Sequence, residues 1–195
     1  MKKNYLDIVD PIHDFIRVYD HELKIIDNPI FQRLRRIRQL SGAHLTYPAA
    51  QHTRFEHSLG VMHIASQAGQ ALNEKGILKS YDIEVLRLSG LLHDIGHGPF
   101  SHLFEEIIKQ KKFSHEDFGK EIILKSEIGD ILSKNGYDKR LIIKIAFGDS
   151  KLQYMNEIIS GALSADIMDY LLRDGYFTGA EHAQIDHKRI TQSLD

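Results

Sequence analysis

Leu91-Leu92-His93-Asp94-Ile95-Gly96-His97-Gly98-Pro99-Phe100-Ser101-His102 sets three histidines and an aspartate where an apolar helix must stop. Upstream, Val85, Leu86, Leu88, Leu91, Leu92 and Ile95 recur at helical spacing. They predict a helix that opens near Asp82, with Glu84 in its first turn. Gly96, Gly98 and Pro99 end it. A His-Asp pair at a buried helix end is costly as packing alone, because an ionised carboxylate taken out of water needs a cation or several donors. A divalent metal supplies that need, and a capped terminus with satisfied histidines is the other way to meet it.

The rest of the composition narrows the choice. A chain of 195 residues, 42% hydrophobic and 27% charged, predicts one globular domain over 1–195 with a sizeable core. A net charge of −2 gives no whole-chain attraction to nucleic acid or anionic membrane. With no cysteine, disulfides and thiolate zinc sites are excluded, so any metal must rest on His, Asp and Glu. The N-terminus Met-Lys-Lys-Asn-Tyr-Leu-Asp has no apolar signal core, and no stretch is long and apolar enough to span a bilayer. The expectation is a cytoplasmic chain without a membrane partner.

Along the chain, residues 7–20 alternate around Asp10-Pro11 and predict a short hairpin, the one good strand candidate. Residues 22–174 read as a helical core. Leu23, Ile25 and Ile26 make a short helix that stops before Pro29. A second helix is expected over Ile30, Phe31, Leu34, Ile37 and Leu40, with Arg33, Arg35, Arg36 and Arg38 as a basic outer face. Residues 41–55 read as a loop, and a long helix follows from about Glu56-His57 to Gly76. Ser114-His115-Glu116-Asp117 has the form of a capped helix start. Two scaffold helices are expected over 127–133 and 138–147. A last strong one spans 152–173, closed by Gly175, with Asp166, Asp169, Tyr170 and Arg173 sharing its polar side. The fold class is all-α, about eight to ten helices with one small N-terminal β-hairpin.

Imidazoles and carboxylates drawn from separate helices suit Mn, Fe, Zn or Ni. The spaced set His57, His93-Asp94 and Asp166 has the form H…HD…D, and here the chain resembles the HD-domain metal-dependent phosphohydrolases. Longer strings carry the likeness further: Phe-Gln-Arg-Leu-Arg-Arg-Ile-Arg-Gln-Leu (31–40), Arg-Phe-Glu-His-Ser-Leu-Gly-Val (54–61), the 93–102 string and Asp-Ile-Met-Asp-Tyr-Leu-Leu-Arg-Asp (166–174). Over roughly residues 8–190 the chain is similar to the deoxynucleoside triphosphate triphosphohydrolase branch, which includes the SAM-and-HD-domain enzyme and the bacterial dGTP triphosphohydrolases.

The resemblance implies an HD-domain helical fold, with His57, His93, Asp94 and Asp166 as metal ligands. It implies Arg54 on phosphate oxygens and His102 at the triphosphate as general acid. It places His97, Glu105, His115 and Glu116 around the attacking water, and Gln39, Tyr170 and Asp174 on the deoxyribose. A divalent ion is implied at the HD site, with Mg accompanying a dNTP substrate. These residue types suit their tasks: histidine exchanges a proton near neutral pH, and arginine grips phosphate bidentately.

Some positions depart from the pattern. Glu105 stands where the resembled branch is expected to carry aspartate, and Ile167 where it is expected to carry a phosphate-contacting lysine. Asp27, Gln32 and Arg35 match half of a regulatory nucleotide site whose N-terminal lysine is Leu6 here. The family's further phosphate and sugar contacts, with its gate against ribonucleotides, fall after Asp195, so weaker sugar discrimination is expected. Other HD phosphohydrolase chemistries stay open, namely a nucleoside monophosphatase, a cyclic-nucleotide phosphodiesterase or a nuclease. So do a non-catalytic nucleotide-sensing module and a homo-oligomer.

Overall fold

The computed structural model describes residues 5–110, 112–180 and 185–194, with the side chain of His102 outside the described set. Strands β1 (Tyr5–Asp10) and β2 (Asp14–Tyr19) pair antiparallel, with Leu6 opposite Val18 and Asp10 opposite Asp14. Ile16 and Val18 on β2 point into the core, as period-two alternation requires. Asp10 closes the turn by accepting from the amides of Ile12 and His13 at 3.0 and 3.1 Å. Asp14 takes a left-handed conformation with φ of 60° to finish it.

Helices α1 (Asp20–Ile26) and α2 (Pro29–Gln32) follow, the second opened by Asn28 as N-cap with proline in its first turn. The helix expected through Leu40 ends early. After a single 3-10 turn over Arg33–Arg36, the chain extends so that Arg38 pairs with Thr53, and Arg54 donates its amide to the Ile37 carbonyl at 2.8 Å. Three arginines of the basic face have partners within the fold, while Arg35, Arg36 and Arg38 stay exposed. Arg33 reaches the carbonyls of Ile95 and His97, Arg35 lies 3.5 Å over the Phe55 ring, and Arg38 donates to Gln51.

Two long helices form the centre. The first, α3 (Arg54–Glu74), starts two residues before the expected position because Thr53 and Glu56 make a capping box. Likewise α4 (Ser80–Leu92) opens earlier than expected, with Asp82 at the third helical position accepting from the Lys79 amide rather than capping. The apolar stripe of α4, Leu86 through Leu92, is fully buried against α3. Helices α5 (Ser101–Lys109), α6 (His115–Lys125), α7 (Glu127–Lys134) and α8 (Lys139–Ala146) wrap the site-bearing end and one flank.

The single helix expected over 152–173 is broken into α9 (Gln153–Ser160) and α10 (Ala165–Thr178). Gly161 leaves the helical region, and Ser164 starts a new helix by accepting from the Ile167 amide. That restart puts Asp166 in the first turn of α10, where the helix dipole favours a carboxylate. α10 runs past Gly175 to Gly179, whose φ of 74° suits a left-handed cap. A short α11 (His187–Gln192) packs back on α3. Eleven α-helices are described, one more than expected, and the all-α class with its hairpin stands. No helix of the described residues is long and apolar enough to cross a membrane.

Candidate metal centre

The site sits where α3, the turn after α4 and the start of α10 meet. His57 Nε2 lies 3.1 Å from Asp166 Oδ1, and one ligand atom each from His57, His93 and Asp166 fall within 4.8 Å of one another. The His93 side chain is fixed by its Nδ1, 2.7 Å from the Gly90 carbonyl, so Nδ1 carries the proton and Nε2 keeps its lone pair. That Nε2 is buried and has no hydrogen-bond partner, 3.6 and 3.9 Å from Asp94 and Asp166.

Behind His57 lies an assembly that the sequence pattern did not single out. Asp169, fully buried, accepts at 2.8 Å from His57 Nδ1, at 2.7 Å from His13 Nε2, and twice at 2.9 Å from the Arg173 guanidinium. Arg173 in turn reaches Asp10 at 2.9 and 3.3 Å, so the hairpin turn is bolted to the back of the site. Asp169 and Arg173, both on the polar side of α10, have no exposed surface. A carboxylate on the outer ring nitrogen fixes a ligating histidine's tautomer and raises its basicity.

The electrostatics favour a cation. Burial lowers the His57 pKa, but bonds to Asp166 and Asp169 outweigh it and push it up to about 10. Burial works against the charge on Asp94, and the Arg54, His93 and His97 side chains still hold its pKa well below the usual range. Two imidazoles, one with an unpartnered buried nitrogen, face ionised carboxylates in a cysteine-free pocket, and this donor set fits a divalent metal.

The remaining sequence-predicted residues fall in three groups. Asp94 adjoins the three-ligand cluster, with its carboxylate turned to Arg54 and to His97 Nε2 at 3.1 Å, and His57 Nε2 3.8 Å away. Arg54 also donates to Ser101 at 3.1 Å. On one flank, the His97 ring stacks on His115 with centroids 4.0 Å apart, and His115 Nδ1 is 2.8 Å from Glu105. Gly96 permits this approach, since a Cβ there would strike the backbone of α6 at His115 and Gly119. Glu116 is half exposed and 4.0 Å from Lys120, outside that chain of contacts. His102 belongs to the first turn of α5, and its role lies outside the described side chains.

On the other flank are Gln39, Tyr170 and Asp174. Gln39 is half-buried, its Oε1 has no partner, and its amide donates to the His52 carbonyl at 3.1 Å. Asp174 Oδ1 is 2.7 Å from His52 Nε2, and Tyr170 is half-buried one turn before it. Of the half-matched regulatory set, Gln32 is bonded to the Ile26 carbonyl and to Arg35. Leu6 is half exposed on the hairpin.

The HD domain pattern matches residues 54–174, which spans α3 through Asp174 and takes in every residue of the cluster. The chain is 44% identical over 187 residues to an uncharacterized protein of Methanocaldococcus jannaschii, covering 96% of this chain and 37% of that one. It is 36% identical over 163 residues to the deoxynucleoside triphosphate triphosphohydrolase SAMHD1 of Danio rerio, covering 82% of this chain and 26% of that one. Among solved structures, a phosphohydrolase from Bacteroides thetaiotaomicron superposes with a TM-score of 0.86 at 35% identity, covering 98% of this chain and 47% of that one. The chain thus spans less than half the length of each of these relatives. Its matched core and its His/His/Asp cluster agree: the chain belongs to the HD-domain phosphohydrolase family, whose members bind a divalent metal.

Proposed function

We propose that the chain hydrolyses a deoxynucleoside triphosphate to the deoxynucleoside and inorganic triphosphate. One observation carries the reading. The face of α10 that delivers Asp166 to the cluster also carries Tyr170 and Asp174, which at the helical rise sit about 6 and 12 Å further along. A nucleotide whose α-phosphate meets the cluster would lay its sugar along that face. The likeness to a dNTP triphosphohydrolase supports the same reading.

A bound metal would supply Lewis-acid polarisation of a phosphoryl oxygen and water activation. His57, His93, Asp94 and Asp166 would hold it. Arg54, already fixed by Asp94 and Ser101, offers a preorganised cation to phosphate oxygens. The His97–His115–Glu105 chain can orient a water and take its proton. His102 would return a proton to the 5′-oxygen as the bond from α-phosphorus breaks. Gln39, Tyr170 and Asp174 would hold the deoxyribose.

Incubating metal-reconstituted protein with each dNTP, rNTP, nucleoside monophosphate and cyclic nucleotide, and resolving the products, tests this. Inorganic triphosphate from dNTPs is the expected product. Pyrophosphate, or turnover confined to monophosphates or cyclic nucleotides, would replace the reading with another HD chemistry.

A further inference from the structure

His52 belongs to none of the motifs, yet it is the point where the two halves of the sugar flank are joined. Its side chain is fully buried, and its Nε2 lies 2.7 Å from Asp174 Oδ1, across 122 residues of sequence. Its ring stacks on Phe177, centroids 4.8 Å apart and 16° from parallel. Its carbonyl accepts from the Gln39 amide at 3.1 Å, part of the short antiparallel pairing of Arg38 with Thr53. One residue therefore holds Asp174 by its side chain and Gln39 by its backbone.

The ring has a second informative atom. His52 Nδ1 is buried with no partner, and so is Gln39 Oε1. An orphaned lone pair costs less than an orphaned N–H, so a proton on Nε2 rather than on Nδ1 satisfies the site best. That tautomer donates to Asp174 Oδ1. Asp174 Oδ2 takes no hydrogen bond among the described residues, and the side chain stays about one-fifth exposed. A carboxylate fixed through one oxygen and open at the other is an oriented acceptor for a ligand hydroxyl.

We propose that His52 is the positioning residue of the sugar pocket: by fixing the Asp174 carboxylate and the Gln39 backbone in one frame, it sets recognition of the 3′-hydroxyl of a deoxynucleotide. The proposal rests on the dNTP reading above. His52 itself touches no substrate. Without it Asp174 can turn to solvent, and the 3′-hydroxyl loses an acceptor that costs nothing to orient.

The test compares kcat and KM for the best dNTP with those for its 2′,3′-dideoxy counterpart. His52→Phe keeps the stack on Phe177 and removes the donor. His52→Gln returns an amide N–H near the Nε2 position. His52→Phe should raise KM for the dNTP about 10- to 100-fold, the scale of one hydrogen bond to a charged group, with kcat little changed. The same variant should leave the dideoxy substrate unaffected, and His52→Gln should recover most of the loss. If wild type prefers the 3′-hydroxyl and His52→Phe keeps that preference in full, the positioning role is wrong and the dNTP reading survives. If wild type turns over dNTPs with no preference for the 3′-hydroxyl, the proposal falls and the dNTP reading survives; if it turns over no dNTP, both fall. Should His52→Phe melt far below wild type, His52→Asn, whose amide is too short to reach Asp174, replaces it against His52→Gln. Equal behaviour of that pair overturns the proposal.

Discussion

Replacing Asp169 by alanine should cost both fold stability and metal affinity, and the two losses can be measured apart. The carboxylate has no exposed surface and accepts from His13, from His57 and twice from Arg173. Burial opposes its charge, but Arg173 and the two histidines still hold its pKa well below the usual carboxylate range. Removing one partner of such a buried pair costs about 3–5 kcal/mol, because the other charge is left in place. Arg173 would keep only Asp10. For a chain of this size, about 2–4 °C of Tm per kcal/mol converts that to a fall of roughly 6–20 °C in metal-free protein. Loss of the carboxylate behind a ligating histidine typically lowers metal affinity about 10- to 100-fold. Calorimetry on metal-free protein and competitive chelator titration give the two numbers. An Asp169→Ala protein that melts within 2 °C of wild type and binds metal within threefold would refute the assembly behind His57. Gly60→Ala offers the same lesion from α3, since its Cβ would collide with the Asp169 carboxylate and the Arg173 guanidinium.

Three further outcomes are expected. Asp94→Ala should lose metal and activity together, and elemental analysis finding full metal occupancy in that variant would remove Asp94 from the ligand set. His102→Ala should keep metal and nucleotide binding while kcat falls about 10²–10⁴-fold, the usual worth of a positioned proton donor; a near-native rate would transfer the role to His97 or His115. His63 is pushed down to about 4, first by burial and then by the His13, Arg87 and His187 side chains, with Asp10 opposing. A folded-state pKa below the unfolded value near 6.5 gives stability that is complete above pH 6.5 and drains away as pH falls toward 4. Wild type should therefore lose about 1–3 kcal/mol relative to His63→Gln over that window. Parallel stability curves from pH 7 to pH 5 would exclude it.

How much of this was legible in sequence depends on how local the cause is. Helix α4 stops at Leu92, before Ile95 and the glycines expected to end it, whereas the Ser114 cap and the hairpin over 7–20 rest on neighbours in the chain and were readable. The helix expected to Leu40 was not, because what stops it is the pairing of Arg38 with Thr53 and the capping of distant carbonyls by Arg33. The break before Asp166 left a weak trace in Gly161 and Ser164, masked by a continuous apolar period on both sides. Asp169 and Arg173 were legible only as members of one polar helix side, with nothing local to show what they bond to. Their partners, His13 and Asp10, lie more than 150 residues away. The His57, His93 and Asp166 cluster was legible only as a spaced pattern. His52 left no sequence signal at all, since its meaning comes from Asp174 across the fold.

Hydrolysis of a dNTP in ¹⁸O-labelled water, followed by mass analysis of both products, tests the proposed chemistry most directly. Attack on the α-phosphorus breaks its bond to the 5′-oxygen. The water oxygen then joins the released triphosphate, and the 5′-oxygen leaves with the nucleoside. One ¹⁸O in inorganic triphosphate and none in the deoxynucleoside is the required result. Label in the deoxynucleoside, or release of pyrophosphate or single phosphate in place of triphosphate, would contradict it.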